Sequence, residues 1–292
     1  MQIRRLFKPL IPRIIAALSI SCLVVSAAKA EQHQCLHVFD ATAYVGKPDL
    51  GRGGIEVVNA FEPDRYWPKG AHNDDLPDPS AAQTWIRRIT GRQGLLVLDL
   101  ERWWLRGKDE DVREGMRRYL TVFDWIRAAG YSGPMGYYGV IPTYNRDAAM
   151  QDDGSPARAA WRKENDRVLP LAEKVDVLFP SLYTADEDIV SWEKYAIADL
   201  HEAKRLARGK PVFPFLWPQY EGPVSGRGLQ YMPESEWARE LQVVADNADG
   251  LVIWGGIGLP DTGGPPHWDE SAPWWQATLA FLAHHELCSG RQ

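Results

Sequence analysis

The sequence predicts an α/β chain folded as a TIM-like parallel barrel, (β/α)7 to (β/α)8. Three features carry that expectation: short apolar runs recur along the chain, amphipathic helical stretches lie between most of them, and no charge-run linker divides the 292 residues. A single barrel of about 200 to 250 residues fits the length as well as two smaller domains would. The doubly wound open sheet is the alternative, but the first run is not followed by a G-x-G-x-x-G turn, and GRGG at 51–54 is a weak phosphate cradle.

Taken in order, the N-terminus carries Arg4, Arg5, Lys8 and Arg13, then IIAALSISCLVVSAA, then Ala28-Lys29-Ala30 in the A-x-A form of a cleavage site. Residues 1–30 therefore read as a secretory signal peptide, and 31–292 as a single glycoside-hydrolase-like barrel domain, secreted or periplasmic. The apolar runs are LHVFD (36–40), IEVVNAF (55–61), LLVLD (95–99), GPMGYYG (133–139), VDVLFPSLY (175–183), KPVFPFLW (210–217) and GLVIWGG (250–256). Each is apolar enough to be covered on both faces, as strands of a parallel sheet are. DVREGMRRYLTVFDWIRAAG has apolar residues at helical spacing and Gly130 at its stop, and SEWARELQVVADNADG reads likewise. Beyond the leader, no segment has the run of about 18 apolar residues that a membrane span needs.

The formal net charge is −6, and without the first 30 residues 28 Lys+Arg stand against 39 Asp+Glu, or −11. With no basic cluster, nucleic acid is excluded as a partner. Cys22 leaves with the leader, so Cys35 and Cys288 remain, one near each end. In an oxidising compartment they are expected to pair, closing a long loop worth on the order of 4 to 5 kcal/mol by chain entropy. No metal and no cofactor is expected: the His residues show neither H-x-H nor H-E-x-x-H spacing. A monomer is expected.

GLLVLDLERWWL (94–105) ends an apolar run in Asp99 and Glu101, and residues two apart on a strand share a side. At the C-terminal mouth of a barrel both carboxylates project together, and like charges in a partly dry site resist joint ionisation, which suits a general acid. In isolation the D-x-E also fits a capping Asp99 and a Glu101 paired with Arg102 or Arg106. What favours the catalytic reading is its company at the other strand ends: Tyr137 and Tyr138, Tyr183, Trp217 and Tyr220, and Trp254. Aromatic faces with polar tips suit a saccharide.

LDLERWW, GYYGVIPTYN, LFPSLY, KPVFPFLWPQY and GLVIWG together resemble the hyaluronidases of glycoside hydrolase family 56, across about residues 94 to 256. RYWP at 65–68 is similar to a further stretch of that family. The resemblance implies a seven-stranded barrel and an endo-acting hydrolase of an N-acetylhexosamine polysaccharide, with the substrate's 2-acetamido oxygen as nucleophile. It implies Glu101 as proton donor, Asp99 and Tyr183 on the acetamido group, Tyr220 beside the scissile sugar and Trp254 walling the acetamido pocket. Trp103 matches a family tryptophan. A polyanionic substrate needs local positive charge, from Arg146 or Arg65, whereas a neutral polymer does not. Three alternatives stay open: a chitinase-like enzyme, a retaining hydrolase using Glu62, Asp186 or Glu221 as nucleophile, and a carbohydrate-binding barrel without catalysis.

Overall fold

A computed structural model describes residues 35–61, 76–78, 83–84, 87–88, 94–185, 188–222, 227–258 and 264–288. The expected signal peptide, RYWP, Arg65, Glu62 and Asp186 lie outside the described residues. Among the described residues the strands are β1 (His37–Thr42), β2 (Glu56–Val57), β3 (Asn59–Phe61), β4 (Leu96–Leu98), β5 (Met135–Tyr137), β6 (Phe215–Leu216) and β7 (Gly250–Gly255). The helices are α1 (Asp109–Ala128), α2 (Arg146–Ala149), α3 (Pro156–Asp166), α4 (Leu169–Lys174), α5 (Ile189–Ala207), α6 (Glu234–Asn247) and α7 (Pro273–Ala283).

All ladders are parallel, and they form two sheets, β2-β1-β7-β6 and β3-β4-β5, rather than one closed barrel. Two features link the sheets. β2 and β3 belong to the same run, separated only by Val58, so that run pairs with β1 at its start and with β4 at its end. The LFPSLY run, with no regular strand of its own, makes isolated parallel bridges from Phe179 to Tyr138 and from Leu178 and Ser181 to Val212 and Phe215. The seven runs foreseen in the sequence therefore each pair with two neighbours, in chain order and back to the first.

The gaps in the ladders have a cause. Pro180, Pro211 and Pro214 have no N–H to donate, which shortens regular pairing in these two runs. Their carbonyls still accept: from Phe215 N at 2.8 Å, Leu178 N at 3.1 Å and Val252 N at 2.9 Å respectively.

The pleat sorts each run into two faces. One set of side chains, including Phe39, Val58, Leu95, Val97, Val177, Phe179, Phe213, Phe215 and Val252, packs on itself inside the ring. Phe213 lies 5.0 Å from Phe39 and 6.4 Å from Phe179, ring centre to ring centre. The alternate set, such as Val38, Leu96, Leu98, Leu178, Val212 and Leu251, belongs to the larger core shared with the helices. On α1 the buried Val112, Tyr119, Val122, Phe123 and Ile126 recur at helical spacing, and acids at 109–111 oppose Arg127 along its dipole. Gly130 follows it at φ 99°.

Cys35 and Cys288 form a disulfide across 253 residues of sequence. Around it Leu36 N donates to Glu286 O (2.8 Å) and Cys288 N to Leu36 O (3.0 Å), so the segment after α7 is tied to the start of β1.

Gly136 marks the tightest point of the ring, because a Cβ there would stand 2.1 Å from Val177 O. Gly136→Ala is expected to force the fourth and fifth runs apart and to destabilise by about 1–3 kcal/mol or more. Thermal unfolding of the purified variant measures this, and an unchanged midpoint would contradict the close approach.

Candidate active site

β4 delivers the acids. Val97 faces the ring interior while Leu98 and Leu100 are buried in the outer core, so Asp99 and Glu101 continue the inner row. The chain after β4 is pinned from outside: the Tyr119 hydroxyl lies 3.0 Å from Leu100 O and 3.1 Å from Trp103 O. Gly115 lets residues 103–105 lie directly on α1, since a Cβ there would come within 3.2 Å of Trp104 O. Glu101 thus rests on a supported backbone.

It opens onto a cavity of about 430 Å³, lined among others by Trp103, Trp104, Tyr138, Ser181, Tyr183 and Glu221. The Tyr138 hydroxyl is 2.9 Å from Ser181 Oγ. Tyr183 stacks on Trp254 (5.3 Å, 23° between planes) and meets Trp217 edge-on at 5.5 Å. Burial, above all, pushes the Tyr138 and Tyr183 phenols above their ordinary range, and the charges of Asp99 and Glu101 push both the same way. Both tyrosines therefore remain hydroxyl donors at any working pH, within the electrostatic reach of both acids. The Glu221 carboxyl is also raised, by burial first and by Glu101's charge second.

Of the residues expected at the cavity, Asp99, Tyr137, Trp217, Tyr220 and Trp254 are not in its lining. Tyr137 is buried in the outer core, its hydroxyl donating to Tyr119 O at 2.7 Å, because neighbours on a strand face opposite ways and Tyr138 takes the inner side. Tyr220 is 1% exposed and donates to Glu236 Oε2 at 2.6 Å, with Arg227 donating to its hydroxyl at 3.2 Å. Burial and then Glu236 push its phenol up to about 12. Trp217 and Trp254 stand behind Tyr183 instead of lining the cavity directly, whereas Trp103 does line it and packs edge-on against Tyr119 at 5.0 Å. Lining residues given no such role from sequence include Trp104, Tyr119, Thr143, Tyr144, Ser181 and Tyr195. Tyr144 and Ser181 sit inside motifs already singled out, GYYGVIPTYN and LFPSLY. Tyr195 comes from the buried face of α5, where its spacing reads simply as core.

Among the described residues, no group of three His, Cys, Asp or Glu is placed to hold a metal, and no helix is long and apolar enough to cross a membrane.

The segment carrying Tyr183 is held from behind. The Thr184 hydroxyl donates to the buried Glu240 carboxyl of α6, and Glu221 N donates to Thr184 O at 2.8 Å. This links Glu240, Thr184 and the backbone of the cavity acid Glu221.

No family model matches the chain. It is 27% identical over 160 residues to the hyaluronidase of Apis mellifera, covering 50% of this chain and 40% of that one. It is likewise 27% identical over 126 residues to the hyaluronidase of Polistes annularis, covering 41% and 33%. The matches span less than half the length of either relative. A crystal structure of bee venom hyaluronidase superimposes with a TM-score of 0.57 at 18% identity, covering 76% of this chain and 92% of the other. Over the matched segments the chain is similar to these hyaluronidases. A second bee venom structure, in complex with a hyaluronic acid tetramer, gives a TM-score of 0.51 at 19% identity, covering 74% and 76%. These structural likenesses establish the hyaluronidase-like α/β barrel fold.

Burial raises the Glu240 carboxyl well above its usual range. Its proton is therefore retained in the folded state at pH values where the unfolded chain, with a carboxyl near 4.5, has lost it. Glu240 consequently favours folding below that value and loses this contribution as pH rises. Glu240→Gln, which keeps an acceptor for Thr184, is expected to gain stability relative to the parent between pH 4 and pH 7. Thermal midpoints of both proteins at the two pH values test this, and a pH-independent difference would contradict it.

Proposed function

We propose that the chain is an exported, endo-acting glycoside hydrolase that cleaves an N-acetylhexosamine-containing polysaccharide with the substrate's own 2-acetamido oxygen as nucleophile. The observation that carries this reading is that Glu101 shares one cavity with Tyr138 and Tyr183, whose phenols feel the charges of both Glu101 and Asp99. The hyaluronidase names of the sequence relatives support it. So does the hyaluronic acid tetramer, itself a polymer of N-acetylhexosamine and uronic acid, bound in one structural neighbour. The Cys35–Cys288 disulfide supports an oxidising destination, secreted or periplasmic, after removal of residues 1–30. The working unit would be a monomer formed by residues 31–292.

In this mechanism Glu101 gives its proton to the glycosidic oxygen as the bond from that oxygen to the anomeric carbon breaks. The acetamido carbonyl oxygen bonds to the same carbon, forming a cyclic cation. Asp99, ionised, accepts the acetamido N–H and balances the positive charge, with Tyr183 donating to the same group. Glu101 then takes a proton from water, whose oxygen attacks the anomeric carbon and reopens the ring with retention. Asp99 and Glu101, on one strand, cannot easily flank the bond from opposite faces as acid and nucleophile, which favours a nucleophile supplied by the substrate.

One observation favours a second reading. Glu221 lines the same cavity, as an ordinary retaining nucleophile would. Its raised carboxyl weighs against that role, since a nucleophile must be ionised.

Glu101→Gln is expected to lower kcat by at least about 10²–10⁴, and Asp99→Asn to lower it strongly through loss of charge balance. A thiazoline mimic of the cyclic intermediate is expected to inhibit far more tightly than substrate binds. Turnover on hyaluronan, chondroitin, chitin oligomers and peptidoglycan, with mass spectrometry for a trapped sugar ester, decides the matter. An ester on Glu221 would establish the ordinary scheme, and a wild type inert on every polymer would leave only a carbohydrate-binding barrel.

A further inference from the structure

Trp104 is 76% exposed and Tyr144 56% exposed, and both line the cavity that holds Glu101. Leaving large aromatic faces in water forfeits the burial that normally offsets their hydration. Isolated exposed aromatics are common, but these two share one concave surface and both stand on rigid supports. Trp104 lies between the buried Trp103 and Leu105, with Gly115 of α1 directly beneath its carbonyl and the Tyr119 hydroxyl on the carbonyl of Trp103. Tyr144 follows Thr143, whose N and Oγ1 donate to Asn165 Oδ1 at 2.8 and 2.9 Å and whose carbonyl accepts from Trp161 Nε1 at 2.8 Å. On its other side Asn145 caps α2. Both exposed rings are thus carried on anchored backbone.

Their surroundings also differ from those of the inner aromatics. Tyr138 and Tyr183 respond to Asp99 and Glu101, whereas Tyr144 responds to Arg146 and then Glu221, and meets Tyr195 edge-on at 5.9 Å. Trp104 and Tyr144 thus stand on the segments after β4 and β5, in a lining that also includes Arg146, Tyr195 and Glu221.

We propose that Trp104 and Tyr144 form a saccharide-binding extension of the cavity, stacking the apolar faces of sugars that adjoin the reacting residue in the same chain. This rests on the hydrolase reading for which sugar reacts, but the stacking itself does not require catalysis. It gives endo action a physical basis, since a chain gripped beyond its reacting sugar need not present an end.

The test is calorimetric, in a Glu101→Gln background that preserves the bound sugar. Two-sugar and six-sugar oligomers of N-acetylglucosamine and of hyaluronan are titrated against that protein and against it carrying Trp104→Ala, Trp104→Phe or Tyr144→Ala. In at least one series the six-sugar oligomer is expected to bind at least tenfold more tightly than the two-sugar one. Trp104→Ala should remove on the order of tenfold from the longer ligand alone, as loss of one stacking contact implies, while Trp104→Phe retains most of it. Equal binding of the two lengths in both series, undetectable binding included, overturns the proposal, as does unchanged six-sugar affinity in both alanine variants. A wild type that leaves both parent polymers uncut while the length dependence and its loss in Trp104→Ala persist overturns the hydrolase reading and leaves the extension standing.

Discussion

The pleat of seven parallel runs arranged in sequence order is the constraint on which the rest depends. Because successive side chains face opposite ways, each run fills the interior with one set and the helix-facing core with the other. The interior is packed with phenylalanine and valine rather than left as a channel. At the N-terminal end it is closed by His37, stacked on Phe39 at 5.9 Å and 3.2 Å from Glu56. At the other end the same inward rows turn polar and aromatic: Asp99 follows Val97, Tyr138 follows Gly136, and Ser181 and Tyr183 follow Phe179. The site is the last layer of the core, so whatever fixes the core fixes the spacing of the catalytic candidates.

The prolines that interrupt the ladders lie in the runs that carry this layer. Pro180 precedes Ser181, and Pro214 and Pro218 bracket Phe215, Leu216 and Trp217. A missing N–H shortens regular pairing, but a proline also fixes its own φ and holds the chain extended without help from a neighbour. The pairing that remains combines the carbonyls of Pro180 and Pro211 with bonds from Phe213 N to Leu178 O (2.9 Å) and Leu182 N to Phe215 O (3.0 Å), so these two runs keep register without a regular ladder between them. Tyr183 is then stabilised by packing on Trp254 and Trp217, and Thr184 by its hydrogen bond to the buried Glu240 behind it, in place of a continuous ladder.

This division also explains what the sequence disclosed. Apolar runs and the pair of cysteines left once Cys22 is assigned to the leader are one-dimensional signals, so the seven runs and the Cys35–Cys288 bond were legible. Tyr137 against Tyr138 was not: in GYYG either parity is possible until a neighbour such as Met135 is known to face outward. Tyr220 failed for a related reason, because beyond Trp217 and Pro218 the chain leaves the strand and alternation no longer predicts direction. Tyr195 carried no signal, since an aromatic on a buried helical face looks the same whether its edge meets a side chain or a cavity. Trp104 was visible as a residue but not as a surface, because only the contact of Gly115 with the chain at 103–105 shows why it stays out of the core.

Charge separates the far field from the contact. The chain's formal −6 repels an anionic polymer at a distance, yet that repulsion is screened within about 8 Å at physiological ionic strength. Inside the cavity the balance is local, with Glu101 and Glu221 facing Arg106 and Arg146. Arg146 already lies over the Tyr195 ring at 5.5 Å and donates to Ser191 Oγ at 3.2 Å, so part of its hydrogen-bonding capacity is committed within the protein. Interaction between Glu101 and Glu221 is mutual: whatever one charge adds to the work of ionising its neighbour, the other adds in return. The Glu221 carboxyl is accordingly harder to ionise, through its burial first and the charge of Glu101 second. A substrate that brought further negative charge to the same place would strengthen that opposition, whereas one held by aromatic faces and hydroxyl donors leaves it unchanged. Negative charge brought into the cavity is therefore opposed at its two acids and matched only beside Arg106 or Arg146.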